Sequence, residues 1–287
     1  MTAGALRTEA DARLPHESAI LPLAAAENFS VAPLLVGREL CSHLTAIYGF
    51  ARLVDQLGDE AEGDRRALLD ELERELDRAY TGTATHPLLQ RVAVSARACD
   101  LPRGPFLRLI EANRRDQVQS RYATFDDLLA YCHLSANPVG ELVLHVFQAA
   151  TPDRIALSDK VCSSLQLAEH WQDVGEDFRR GRVYLPAEDL ARFGVSDDDL
   201  GAPGASDAFR RLLAFEVARA RALLDEGAVL VGRLRGRARF AVAGYAGGGR
   251  AALDAIAAAD HEVLARAPRP SGARRLVAVL RTYGAGS

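Results

Sequence analysis

The sequence predicts an all-α protein built as one domain. Three observations lead there. Apolar residues recur at alternating three- and four-residue spacing through most of the 287 residues, the period of helices with one buried face. No stretch alternates strictly in the manner of a half-buried strand, and the nearest candidate, Val183-Tyr184-Leu185, is too short to matter. The composition, 48% hydrophobic and 26% charged, suffices for a sizeable core at this length.

Taken in order, the first helix covers 38–60, with Leu40, Leu44, Ile47, Ala51 and Val54 as its inward stripe. A surface helix follows over 64–80, with Leu68, Leu69, Leu72 and Leu76 inward and charges outward. Helical patterns then cover 86–99, 104–120, 125–149, 154–180, 206–231, 249–266 and 271–283. Gly82 to Pro87, Pro102 to Pro105, Pro152, Pro186, Gly201 to Pro203 and Pro268 to Gly272 punctuate them. The Gly- and Arg-rich stretch 232–249 fits a broken helix and a loop equally well. No repeat or linker divides the chain, so the expected domain is 19–287, preceded by a mobile tail over 1–18.

Composition narrows the function. A net charge of −4 argues against a nucleic-acid binder. Of the 35 basic residues only Lys160 is lysine; arginine binds phosphate bidentately, although genomic base composition also produces this bias. The cysteines, Cys41, Cys99, Cys132 and Cys162, form no CxxC pair and no zinc-like spacing, as expected of a reducing, cytoplasmic setting. No signal peptide, no apolar run of membrane-spanning length and no strongly amphipathic anchor is evident.

Two stretches carry chemistry. In the first, Asp55 and Asp59 stand four apart and so share one helical face, which Tyr48 and Arg52 continue. Alone, that pair reads as a solvated helix end. In the second, Gln166, Glu169, Asp173 and Asp177 form one stripe on a helix otherwise made of Ile155, Leu157, Val161, Leu165, Leu167 and Trp171. Carboxylates set among core residues need a partner or a metal. Arg180 and Arg182 follow, placed for charge-assisted bonds to phosphate. Facing one another across a bundle, the two stretches would hold Mg2+, which takes oxygen ligands from a few carboxylates plus substrate phosphates. Asp55, Asp59, Glu169, Asp173 and Asp177 would be its ligands. The space beneath would be apolar, with Tyr48 and Tyr184 capping it and Gln166 on the same stripe.

The run Ala46-Ile-Tyr48-Gly-Phe-Ala-Arg52-Leu-Val-Asp55-Gln-Leu-Gly-Asp59 resembles the first aspartate motif of the squalene/phytoene synthase family. The run from Leu165 to Pro186 resembles the second, and Tyr131-Cys-His-Leu-Ser-Ala-Asn-Pro138-Val139-Gly140 the central motif, where a helix breaks beside the cavity. The resemblance stays in register over about 27–265. It implies the isoprenoid synthase fold, a helical bundle around a central apolar cavity. It also implies an isoprenoid diphosphate substrate contacted by Arg52, Asn28, Arg180, Arg182 and Tyr184, with Asp55, Asp59, Asp173, Asp177, Tyr48 and Gln166 serving the reaction. The stretches Glu27–Ala32 and Ser135–Leu144 are similar to the hydroxysqualene synthase branch. That implies conversion of presqualene diphosphate to hydroxysqualene, on the route to squalene and hopanoids. Condensation of two farnesyl or geranylgeranyl diphosphates, as in squalene and phytoene synthases, is the alternative. The pattern departs from the family at Gln56 (usually Asp), Glu169 (usually Asn) and Asn28 (usually Ser). The hydrophobic substrate so implied points to peripheral contact with the inner membrane surface and to cooperation with other squalene-pathway enzymes.

Other candidates read as structural. His170 is expected to be a packing or polar-network residue, and His133 shows no partner in the sequence. Gly247-Gly248-Gly249-Arg250 lacks the ending of a phosphate loop and reads as a helix start or turn. Arg274-Arg275 reads as a solvated helix face.

Overall fold

The structure, a computed structural model, describes residues 37–285 together with Leu14, Pro15, Glu17 and Ile20. Helix α1 (Arg38–Asp55) runs straight into a π-helical turn, Gln56–Glu60. There follow α2 (Arg65–Thr81), α3 (Pro87–Cys99), α4 (Arg103–Asp116), α5 (Phe125–Ser135), α6 (Asn137–Val146), α7 (Pro152–Gln172) and α8 (Val174–Arg179). The chain continues through α9 (Ala187–Phe193), α10 (Asp197–Leu200), α11 (Asp207–Ala228), α12 (Leu230–Arg233), α13 (Gly236–Ala258) and α14 (Gly272–Ala285). No strand forms among the described residues; Arg121 and Val183 make one isolated parallel bridge.

Local chemistry sets the starts of the helices. Asp64, Thr124, Thr151, Ser196 and Ser206 each accept a backbone N–H of the first turn, and Thr124 and Ser196 complete reciprocal capping boxes with Asp127 and Asp199. Pro87, Pro138 and Pro152 sit in first turns, where a missing N–H costs nothing.

Two large cores hold the bundle, beside a smaller cluster around Leu144, Leu230 and Val231. One gathers Leu44, Ile47, Phe50, Leu53 and Leu57 against α2, α3, α4 and α6, with Phe50 and Phe106 edge-to-face at 4.9 Å. The other packs α7 on α11 and α13 around Trp171, Phe209 and Leu213. Close approach of α11 to α7 needs Gly227, whose missing Cβ would stand 2.7 Å from Val161 N. Between the cores α1, α7 and α13 converge without filling the space: Tyr48, Cys162 and Tyr245 meet there, deep in the fold yet each still reached by solvent. This is the place where the sequence led one to expect the wall of a central cavity.

Several sequence expectations change. The helix expected over 154–180 bends at Asp173, and that over 125–149 is interrupted at Ala136, inside the central motif. The undecided stretch 232–249 is a broken helix: α12 ends, Leu234 and Arg235 are extended, and α13 begins. Gly247-Gly248-Gly249-Arg250 is therefore the middle of a helix rather than a start, and α13 ends at Ala258 instead of 266. Glycine lowers helix propensity, but here the residues let α13 pack: a Cβ on Gly249 would stand 2.4 Å from a Leu165 methyl. His133 has a partner after all, Arg108 Nη1 at 3.3 Å.

Candidate active site

The first motif is shaped by the π turn and braced by α4. Ala61 N reaches back to Gln56 O at 2.9 Å, widening the last turn that carries Asp59. Asn113 Nδ2 donates to Asp55 Oδ1 at 3.3 Å, and Gln117 Nε2 donates to Gly58 O at 3.0 Å. Gly58 makes this possible, since a Cβ there would lie 2.0 Å from Asn113 Oδ1.

The second motif is held by the loop after α13. Glu262 accepts from the backbone N–H groups of Ala205, Leu264 and Ala265, fixing the loop. The loop crosses the helix at Gly175, where a Cβ would meet Leu264 O at 2.6 Å. Gln172 Nε2 donates to Pro268 O, and Arg269 comes near enough to Asp173 to counter the upward shift of its carboxyl.

The motifs face each other. Asp55 is open to solvent yet surrounded by protein, as a group on a cavity wall is. That enclosure pushes its carboxyl up to about 7, against the pull of Asn113 and Arg52; the negative charges of Asp59 and, from the opposite motif, Glu169 add to the rise. Asp177 is likewise pushed up to about 7, first by burial and then by Asp173, with Arg182 and Arg180 opposing. A direct bridge joins the walls: Arg182 donates to both Asp59 oxygens, at 2.5 and 3.4 Å. Its guanidinium is held strongly protonated by Asp59, Tyr184 and Asp116.

Asp116, at the end of α4, was not foreseen. Burial raises it to about 6 while it accepts from Tyr131 Oη at 2.8 Å. Behind it rises an aromatic wall: Tyr184 stacks on His170 at 3.7 Å and on Tyr122 at 5.7 Å. His170 is buried, bonded to Gln166 at 3.2 Å and pushed down to about 3 by burial and Arg182, so it is neutral. That matches a packing and network role.

The structure thus brings Asp55, Asp59, Glu169, Asp173, Asp177 and Arg182 to one opening, with Gln166 and Tyr184 in its wall. Tyr48 lies deeper, its hydroxyl donating to Tyr245 Oη at 3.0 Å. Arg52 stands at the rim, paired to Glu60 at 2.9 Å while its buried Nε has no partner. Arg180 is exposed and paired with Glu176 at 2.8 Å, and reaches the site only through its charge, which opposes the rise of Asp173 and Asp177. Asn28 lies outside the described residues. Sequence reasoning missed Asn113, Asp116, Gln117, Tyr131 and Arg269. A signal existed for the first three: Phe106, Leu109, Ile110 and Asn113 share one stripe, and Asp116 and Gln117 prolong it with polar groups.

The donor set suits a hard cation shared with phosphate. Among the described residues no three His, Cys, Asp or Glu side chains converge tightly enough to hold a metal alone. Mutually repelling carboxylates on two walls nonetheless supply the oxygen ligands that magnesium accepts beside a phosphate.

Residues 24–275 match the squalene/phytoene synthase family model. The chain is 32% identical to phytoene synthase 1 of Solanum lycopersicum over 90% of its length, a segment spanning 65% of the tomato protein. Among solved structures it is similar to squalene synthase HpnC from Alicyclobacillus acidocaldarius, 45% identical, covering 85% of this chain and 94% of that one, with a TM-score of 0.80. A dehydrosqualene synthase with bound ligand shares the fold at 23% identity, covering 94% and 97% of the two chains, with a TM-score of 0.83.

Proposed function

Because the chain belongs to the squalene/phytoene synthase family, we propose that it is a hydroxysqualene synthase, acting on presqualene diphosphate with Mg2+. The observation that carries the reading is the facing of two carboxylate walls across an enclosed opening, joined by Arg182 on Asp59. The 45% identity to a protein named squalene synthase favours a C30 skeleton over the C40 skeleton of the phytoene synthases, which stand at about 30%.

Magnesium would be held by Asp55 and Asp59 from one wall and Glu169, Asp173 and Asp177 from the other, where it would supply charge to the departing diphosphate. The chain's own cations work alongside. Arg182 exchanges its Asp59 contact for phosphate oxygens, and Arg52 keeps a buried, unpartnered Nε as a further donor. Arg269, beside Asp173, supplies positive charge from the loop side.

Cleavage of the C–O bond leaves a cyclopropylcarbinyl cation, which the apolar cavity shelters from bulk water while it rearranges. Water then bonds to the cationic carbon and loses a proton, giving the alcohol and diphosphate with no reductant. The paired hydroxyls of Tyr48 and Tyr245 are polar groups on this wall suited to holding that water.

The test is product analysis. Purified protein with magnesium and presqualene diphosphate, without nicotinamide, is expected to give a C30 alcohol, and a chelator to abolish it. Farnesyl or geranylgeranyl diphosphate alone is expected to remain unchanged. Their condensation would replace this reading with that of a condensing synthase, which the relatives named phytoene synthase favour.

A further inference from the structure

Helix α14 has two unlike faces. Ala278 and Thr282 are buried and Val279 half-buried against α13, where Gly247 lets the helices touch: a Cβ there would stand 2.6 Å from the Val279 Cα. The other face holds Leu276, Val277, Leu280 and Tyr283, exposed by 60, 47, 61 and 38%. Leu276, Val277 and Leu280, left in water along one short helix, are the mark of an interaction surface, while the Tyr283 ring packs under Arg239 and beside Phe240.

The chemistry beside that face is cationic. Arg274, Arg275 and Arg281 are exposed, and none is paired with a carboxylate among the described residues. The exposed Arg235 and Arg237 at the start of α13 lie toward the far end of α14, since the neighbouring Arg239 donates to Tyr283 O at 2.8 Å. From residue 229 onward the chain carries ten arginines against Asp254, Asp260 and Glu262, although its net charge is −4. Arg250 pairs with Asp225 and Arg269 lies beside Asp173, which leaves Arg235, Arg237, Arg274, Arg275 and Arg281 as the exposed cations flanking the apolar face.

We propose that α14 docks the protein reversibly on an anionic phospholipid surface. Leu276, Val277 and Leu280 enter the boundary between headgroups and acyl chains, and the flanking arginines meet lipid phosphates. Pairing with a second copy fits less well, because a two-fold axis would set the same arginines against one another. Ten of the fourteen residues of the helix, 276–285, lie beyond the segment matched by the family model, 24–275. It also stacks on the outside of α13, whose Tyr245 faces the cavity, so docking leaves one helix between bilayer and cavity wall.

Co-sedimentation with phosphatidylcholine vesicles, with and without phosphatidylglycerol, tests this. The expected result is binding to the anionic vesicles only, weakening as salt rises. Replacing Arg274, Arg275 and Arg281 by Gln is expected to lower partitioning by about 100-fold. Leu276→Ser with Leu280→Ser is expected to lower it by at least about 10-fold, both with unchanged melting temperature. Leu280→Trp is expected to shift its emission to the blue on adding vesicles, over a constant background from the buried Trp171. Equal binding to neutral vesicles, or wild-type binding by the variants, overturns the proposal. So does a dimer, seen by light scattering, that the serine variant dissociates while wild type ignores vesicles.

Discussion

Glu216, in the middle of α11, is fully shielded from solvent, and neither of its carboxyl oxygens accepts a hydrogen bond. Arg219 Nη1 stands 3.6 Å away but is committed at 3.0 Å to Asp189, itself buried. Burial pushes the Glu216 carboxyl up to about 8; Arg219 opposes this, while Asp189 and Glu188 add to it. Its unfolded value is near 4.5, so the folded state is favoured by the protonated form. That contribution is complete below about 4.5 and disappears as pH rises through about 8. Each unit in between corresponds to roughly 1.4 kcal/mol, a few kcal/mol in all from pH 5 to 8. Wild-type stability alone cannot report this, because Asp55, Asp116, Asp159 and Asp177 are also raised into that range. Glu216→Gln isolates it: the amide keeps the volume, can donate to Asp189, and does not ionise. Urea unfolding of both proteins at several pH values should show the variant gaining on wild type by several kcal/mol as pH rises. A difference that stays flat across the range would mean that water or a rearrangement of Arg219 already solvates the carboxylate, and the reasoning from burial would be wrong.

Arg182→Gln removes the cation shared by Asp59, Asp116 and Asp177; kcat/KM is expected to fall by about 100- to 1000-fold. Arg182→Lys, which keeps charge but not the fork, should lie between it and wild type in steady-state kinetics. Gly58→Ala forces a methyl to 2.0 Å from Asn113 Oδ1, which should displace the brace on Asp55 and cost about 1–3 kcal/mol in denaturant unfolding, together with most activity. Gly248 is half-buried on α13, one turn beyond Tyr245, and a Cβ there would meet nothing within 4 Å. Gly248→Phe is accordingly expected to fold with little change in Tm yet to lower kcat/KM for a C30 substrate at least about 10-fold, by filling the cavity.

What could be read in advance follows from helical periodicity, and what could not follows from tertiary approach. Asp55 with Asp59, and Glu169 with Asp173 and Asp177, were legible because a spacing of four converts directly into a shared face. Gly58 and Gly175 carried no such signal. Their purpose is to admit Asn113 and the backbone of Leu264, which lie far along the chain. Arg269 depends on the same loop and was equally hidden. Helix α14 was expected over 271–283, but its uncovered apolar face was not: the outer side is as apolar as the inner one, and only packing on α13 reveals which side is left uncovered.

Arg180 and Arg182 show most clearly where sequence spacing stops. Two residues apart after one helix, they read as equal phosphate ligands. The helix ends between them, and Gly181 takes φ of 80°, a left-handed conformation that glycine adopts without strain. The next residue then turns back over the helix end, Arg182 N donating to Asp177 O at 2.9 Å. Arg182 is thereby aimed across the opening at Asp59, while Arg180, still on the last turn, keeps its outward face and pairs with Glu176. A side chain on Gly181 would resist that turn, so Gly181→Val should loosen Arg182 from Asp59 and lower activity while Arg180, and the helix it ends, stay as they are. The glycine between the two arginines thus decides which of them bridges the opening.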